Sequence, residues 1–493
     1  MASILGHEVE CDTPSIGSFL EQSLRPKTII WLILGLALGL RALGAACGNL
    51  TYDEVAHLAL AETISFDPDH FHLVFRTLDH PLLSIYVFKF SGMLFGESEF
   101  GLRVFHILFG TATVAIVYRI GTRLFSQQAG LWAAVLLAAD QFHASWSRAF
   151  MPEVLMLFFA SLALLKFLDV LETSRGKDFL LLGLWMGLAY LAKETGILVI
   201  PIFWLFLLVT RSHRAILWNY RWYGAHALFL AVIAPDIIWN LLHFSESYLH
   251  RDTVLLSEPL RIQLKPFSLY IGELFQMLYH QDALDFFEDY SAGNLWACHW
   301  PAGVFYLCAV AAAVRLRHLL QPRVLLIAFF FVFFFFSVLP GAERFDPFWW
   351  ASLSLIPAVV LSGWACAKLS ATGKPVQSAL IVFVGYLALH FAWQAQKPGE
   401  LRIRQTVEQI VVRTNKNAHV ALQQNDLVTA HRLLIYALNI GGPNAETYFY
   451  LGVIESMQKR YAPAESYLRK SLKIDPSNQP AQELLEEVRA SKQ

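Results

Sequence analysis

The strongest constraint on this chain is a succession of apolar runs, each near the roughly 20 residues that carry a helix across a bilayer. About eleven such runs are legible, at approximately 28–48, 100–120, 127–142, 152–171, 179–193, 196–210, 222–242, 301–315, 323–340, 348–367 and 377–395. Lipid offers no partner for exposed backbone N–H and C=O groups, so runs of this length can only be helices that satisfy their own hydrogen bonds. The expected fold class is therefore all-α, a polytopic transmembrane helical bundle of about eleven spans. Composition agrees: 56% of residues are hydrophobic and 16% are charged, against about 25% charged in soluble domains. The net charge of -1 lacks the basic excess that tracks a nucleic-acid backbone, so nucleic acid is excluded as a partner and membrane lipid is implied.

Residues 1–27 carry Glu8, Glu10 and Asp12 and no small-residue cleavage site, so the first run is expected to be a retained span behind a cytoplasmic tail. Lys and Arg in short loops set the orientation. Arg25/Lys27, Arg119/Arg123, Arg175/Lys177, Arg211/Arg214/Arg221, Arg315/Arg317/Arg323 and Lys368/Lys374 fall on one side, which is expected to be cytoplasmic. The opposite loops carry Asp53, Glu54, Asp67, Asp69, Asp79 and the long stretch 243–299. The five cysteines show no metal-ligand spacing; Cys47 and Cys298 fall near outer span ends, where an oxidising compartment would permit pairing.

Composition changes after Lys397. A membrane domain over 28–397 is expected to give way to a polar, helix-prone domain over 398–493, which an odd span count places outside the cytoplasm. Tyr448, Leu451, Gly452, Ala464, Leu468 and Pro476 have the spacing of a tetratricopeptide repeat, a helical pair of about 34 residues. Ala430 and Leu434 precede Ala464 and Leu468 by one repeat, which predicts a degenerate copy over about 410–443 and a capping helix over 479–491.

Thr51-Tyr52-Asp53-Glu54-Val55-Ala56-His57 places two adjacent carboxylates directly after the first span. A carboxylate there can take the proton from an acceptor hydroxyl as its oxygen attacks a sugar carbon. The same two acids would also serve at the N-terminus of an interfacial helix. Lys193, at the end of an apolar run, needs a wet cavity, a snorkelling path or a partner such as a phosphate or Glu194. Arg148 and Arg344 suit either an anion or an interfacial anchor; Arg41 and Arg103 suit interhelical pairing. His57, His70, His72 and His80 share one loop but lack the spacing that fixes a metal site. No cofactor is implied, and a divalent metal stays open. Phe329–Phe336, almost unbroken phenylalanine, is either lipid-facing or core filler.

These residues lie in a wider pattern. Asp53-Glu54, then His80-Pro81-Leu82, Phe95-Gly96-Glu97-Ser98 and Arg103 at the mouth of the next span together resemble the GT-C superfamily of membrane glycosyltransferases. The nearest families by these motifs are the protein O-mannosyltransferases and the lipid A aminoarabinose transferases. Ser147-Arg148-Ala149-Phe150-Met151-Pro152-Glu153 is similar to the second external loop of that group, and Ala192-Lys193-Glu194-Thr195-Gly196 to its Lys-Gly segment. A weaker likeness runs through Glu343-Arg344.

The resemblance implies inverting transfer of a glycosyl group from a polyprenyl-phosphate sugar to a hydroxyl acceptor outside a bacterial inner membrane. It implies Asp53 as general base with Glu54 and Glu153 as further catalytic acids, and Lys193, Arg148, His80 and Arg344 as substrate-binding residues. The C-terminal repeats would offer a surface to a protein partner. Two other readings stay open. A transporter would place ionisable residues on broken helices at mid-membrane, and a membrane-anchored repeat scaffold would need far fewer spans.

Overall fold

The computed structural model describes residues 26–43, 45, 57, 61, 64, 81–96, 98–149, 151–242, 293–338, 351–395, 400–423 and 426–491. Asp53, Glu54, His80 and Arg344 lie outside the described residues, as does Cys47. No strand occurs among the described residues.

The chain winds through α1 (Pro26–Ala42), α2 (Leu83–Phe95), α3 (Glu99–Leu124), α4 (Gln127–Ala139), the short α5 (Gln141–Arg148), α6 (Pro152–Thr173) and α7 (Gly176–Ala192). A 3-10 turn over Glu194–Leu198 leads into α8 (Val199–Val209), and another over Arg211–Trp218 leads into α9 (Tyr220–Leu242). After residues 243–292 come α10 (Gly293–Val314), α11 (Leu320–Val338), α12 (Leu355–Ser370) and α13 (Lys374–Ala395). Each apolar run read from the sequence overlaps one of these helices. Among the described residues five helices are long and apolar enough to cross a membrane: α3, α6, α9, α11 and Ser352–Ser370, which contains α12. The chain is an integral membrane protein.

One apolar core joins these helices, running from Ile33 of α1 to Leu387 of α13. Its tightest seams are built on small residues. α7 packs on both α6 and α9. A Cβ on Gly183 would stand 2.2 Å from the Ala225 carbonyl oxygen, and one on Gly187 2.7 Å from Val232. These two glycines, four apart, are one face of α7, and in lipid such close backbone approach replaces the hydrophobic drive that water supplies elsewhere. Gly363 of α12 meets Ala129 and Ala133 of α4 in the same way. Substituting Gly183→Val should therefore lower the melting temperature and the folded yield, by about 1–3 kcal/mol of overpacking. Gly385→Val should leave both unchanged, because no atom outside its own helix lies within 4 Å of a Cβ there. Thermal-shift chromatography of the two variants checks this.

The Phe329–Phe336 run divides by helical period. Phe329, Val332, Phe333 and Phe336 are buried, whereas Phe330 and Phe334 are exposed on the outer face of α11. The stretch thus has a core-filling side and an exposed side on the same helix.

At one end of the bundle the charged residues form a network. Arg123 of α3 pairs with Asp169 and, at 2.8 Å, with Glu172 of α6; Lys166 reaches Asp169 at 2.6 Å and Asp178 of α7 at 3.3 Å. The opposite end holds the candidate site.

Five further helices follow: α14 (Glu400–Gln423), α15 (Leu427–Gly441), α16 (Ala445–Met457), α17 (Tyr461–Ile474) and α18 (Gln479–Ser491). Each packs on the next, and they bury clusters separate from the membrane core. The start points of α15 and α17, and of α16 and α18, are both 34 residues apart. Ala430 and Ala464 are fully buried at equivalent places, and Gly452 admits Leu468 where a Cβ would clash at 2.7 Å. The helix expected over 479–491 is α18.

Candidate active site

The site end is assembled where α1 ends, where α2, α3 and α6 begin, and where α7 stops. Pro152 opens α6, and Glu153 follows in its first turn, where a carboxylate complements the helix dipole. α7 ends at Ala192, and Lys193 leaves it in an extended conformation (φ -157°, ψ 138°). The chain then turns back so sharply that a Cβ on Gly196 would sit 2.3 Å from the Ala189 carbonyl oxygen. This fold-back is the local reason for a glycine three residues after the lysine.

Its result is a buried ion pair. The Lys193 ammonium donates to Glu153 Oε1, and the two side chains are 1% and 2% exposed. The other carboxylate oxygen, Oε2, has no hydrogen-bond partner among the described residues. The sequence offered Lys193 a phosphate, a snorkelling path or Glu194; the structure places Glu153, forty residues earlier, against the ammonium. Glu194 is buried beside them, and Thr195 Oγ1 lies 3.0 Å from Met156 Sδ of α6. A buried charge costs several kcal/mol unless paired, so a cation and an anion meeting in the apolar wall mark a polar centre that the fold maintains at a price.

Other predicted residues converge on the same end. Ser84, in the first turn of α2, donates to the Ala192 carbonyl at 3.1 Å, which sets the stretch after His80-Pro81 next to Lys193. The turn between α2 and α3 is fixed by Gly96 at φ +88° and by Ser98, whose side chain caps α3 by accepting from the Gly101 amide at 3.1 Å. Gly96 therefore ends α2 and Ser98 caps the start of α3. Arg103 is 4% exposed and donates to the Ala45 carbonyl at 2.7 Å. Arg148, half-buried at the end of α5, reaches the Leu43 carbonyl at 3.4 Å. Both arginines thus touch the chain as it leaves α1 toward Asp53.

Arg41, read from the sequence as an interhelical pairing residue, finds its partners on two other helices. Arg41, fully buried in α1, donates to the carbonyls of Leu137 and Ala138 at 3.1 and 3.2 Å and to His143 Nδ1 at 2.8 Å. A guanidinium has no acceptor, so His143 Nδ1 must accept. Asp140 caps α5 and accepts from Tyr306 of α10 at 3.1 Å. Arg41 thereby satisfies the open C-terminal carbonyls of α4 from another helix, a role no local spacing announces. Among the described residues no three His, Cys, Asp or Glu side chains converge as a metal site would require.

With this geometry in hand, the relatives are informative. Residues 79–239 match the sequence profile of the family described as dolichyl-phosphate-mannose-protein mannosyltransferase. Among solved structures the chain is similar to ArnT from Cupriavidus metallidurans in the apo state, at 16% identity and a TM-score of 0.50, covering 92% of this chain and 77% of that one. The fold is that of the GT-C glycosyltransferases. The same ArnT bound to undecaprenyl phosphate matches at 15% identity and a TM-score of 0.50, over 94% of this chain and 78% of that one. The apo oligosaccharyltransferase of Archaeoglobus fulgidus matches at 14% identity and a TM-score of 0.51, over 77% of this chain and 57% of that longer one. A search of curated proteins by sequence finds no match. The profile match spans α2 to α9, the stretch that supplies Arg103, Arg148, Glu153 and Lys193.

Proposed function

We propose that this GT-C-fold chain transfers a glycosyl group from a polyprenyl-phosphate sugar to a hydroxyl acceptor at the extracytoplasmic face of a bacterial inner membrane. The observation that carries the reading is the buried Lys193–Glu153 pair at the same bundle end as the exit of the Asp53 loop. Crystallised ArnT bound to undecaprenyl phosphate, on a similar fold, supports the donor class. The Lys- and Arg-rich loops lie at the Arg123–Asp169 end and support placing the site end outside.

In this reading Asp53 is the general base, with Glu54 beside it. Its carboxylate accepts the acceptor hydroxyl proton while that oxygen forms a bond to the anomeric carbon. The bond from that carbon to the phosphate oxygen breaks on the opposite face, so configuration inverts and polyprenyl phosphate leaves. Charge grows on the departing phosphate, and fixed cations stabilise it best where water is excluded. In this reading Lys193 supplies that cation, with Arg148, His80 and Arg344 as further substrate-binding residues. Glu153 is the site's third acid, holding the ammonium in place between turnovers. The helices at 34-residue spacing form a tetratricopeptide-type domain that offers a protein surface beside the site.

The test is direct. Purified protein in lipid, given polyprenyl-phosphate sugars and a panel of hydroxyl acceptors, should release polyprenyl phosphate with formation of an inverted glycoside. Intact donor across the whole panel would remove the transferase reading.

A further inference from the structure

At the end of the bundle away from the site, the described acids are already engaged. Asp169 and Glu172 bind Arg123, and Asp169 and Asp178 bind Lys166. Five cations of the same end are exposed: Arg175 and Lys177 where α6 gives way to α7, Arg211 and Arg214 in the 3-10 segment after α8, and Arg221 in the first turn of α9. Among the described residues none of the five has a carboxylate within 4 Å.

The fold gathers them. Arg221 Nη1 donates to the Ser174 carbonyl at 3.0 Å, and its Nε lies 3.9 Å from where a Cβ on Gly176 would stand, so the guanidinium rests at the turn that carries Arg175 and Lys177. Arg221 Nε also donates to the Tyr220 hydroxyl at 3.3 Å. Arg214 Nε donates at 2.7 Å to the Leu208 carbonyl, one of the open carbonyls at the end of α8. A guanidinium has five N–H donors, so each of these arginines is held at one edge and keeps others for an acceptor from outside.

Aromatic rings share the surface. Trp218 is 86% exposed and Tyr220 76%, while their neighbours Ile216 and Leu217 are buried in the core. Exposed indole and phenol rings beside unneutralised cations match the headgroup level of a bilayer, where rings meet the start of the acyl chains and cations meet lipid phosphate. Guanidinium forks fit phosphate oxygens two at a time and are more weakly hydrated than an ammonium.

We propose that this surface holds the headgroup of an anionic phospholipid, with Arg211, Arg214 and Arg221 binding its phosphate and Trp218 and Tyr220 anchoring the chain at the same depth. It lies at the opposite end of the bundle from the candidate active site and does not depend on the glycosyl-transfer reading.

The experiment measures retention of phosphatidylglycerol and of phosphatidylcholine by the purified full chain, using native mass spectrometry. Three proteins are compared: wild type, Arg211→Gln/Arg214→Gln/Arg221→Gln, and a control, Arg315→Gln/Arg317→Gln/Lys374→Gln, that removes equal charge from other exposed basic positions. Wild type should prefer phosphatidylglycerol, and the preference should shrink as salt rises. The arginine triple variant should bind phosphatidylglycerol about 100-fold more weakly, roughly fivefold per cation, with phosphatidylcholine unchanged. The control should stay within about threefold of wild type. Should the triple variant fold poorly, Arg211→Gln alone, at an exposed side chain, should show its fivefold share. Equal retention of the two lipids by wild type, undiminished binding in the arginine variants, or an equal loss in the control would each overturn the proposal, the last by showing a diffuse charge effect in place of a site.

Discussion

Asp53→Asn should reduce donor turnover by about 10²- to 10⁴-fold, the range that a positioned general base contributes. Asparagine matches the aspartate in shape and still accepts hydrogen bonds, but it cannot take the acceptor proton. Donor binding and melting temperature should therefore hold near wild type, and the loss should fall on kcat. Release of polyprenyl phosphate, measured beside donor binding to the same preparation, separates these outcomes. If the variant turns over at the wild-type rate, another group removes the proton. If donor binding falls in step with turnover, Asp53 acts on the donor instead.

The second large effect is expected at the buried ion pair. Lys193→Met leaves the Glu153 carboxylate buried without its cation and should cost about 3–5 kcal/mol of stability, as other broken buried pairs do. The double variant Lys193→Met/Glu153→Gln removes both charges and should regain most of that loss, since neutral groups of similar size are often as stable in such places. Stability and function should then part: the double variant melts near wild type yet fails to hold the carrier phosphate. Melting temperature and binding of polyprenyl phosphate, measured on the two single variants and the double, complete the cycle. A double variant whose loss equals the sum of the two single losses would show that the two residues are not coupled. A stable double variant with full carrier binding would remove Lys193 from the phosphate site.

These expectations mix what sequence reads well with what it reads poorly. Hydropathy located a helix at every apolar run because a bilayer demands roughly 20 apolar residues and forbids irregular backbone in lipid. Its boundaries were less exact. α1 stops at Ala42, short of the apolar stretch to 48, and α10 starts at Gly293, before the apolar stretch begins. Apolar residues past a helix end pack in loops as readily as in helices, so hydropathy alone does not mark where hydrogen bonding stops.

Candidate residues divide similarly. Lys193 was legible as a charge that needs a partner, because a charge in an apolar run is costly wherever it sits. Its described partner was not: Glu153 lies forty residues away, and only the packing of α7 on α6 brings the two together. Arg103 was read as an interhelical pairing residue, and one of its bonds runs to a carbonyl of the chain leaving α1. Arg41 likewise serves the carbonyl end of a different helix. Backbone carbonyls are identical in every residue, so no sequence pattern names the one a guanidinium will find.

Sequence by itself determined the solvent, the helical class and the roster of ionisable groups worth examining, since each follows from local length or charge. Tertiary structure decided which of those groups meet, because Lys193 finds Glu153 and Arg103 finds Ala45 only through contacts between helices distant in the chain. It also decided which phenylalanines of α11 face the core. Local chemistry sets what a residue requires; packing of separate helices sets what satisfies it.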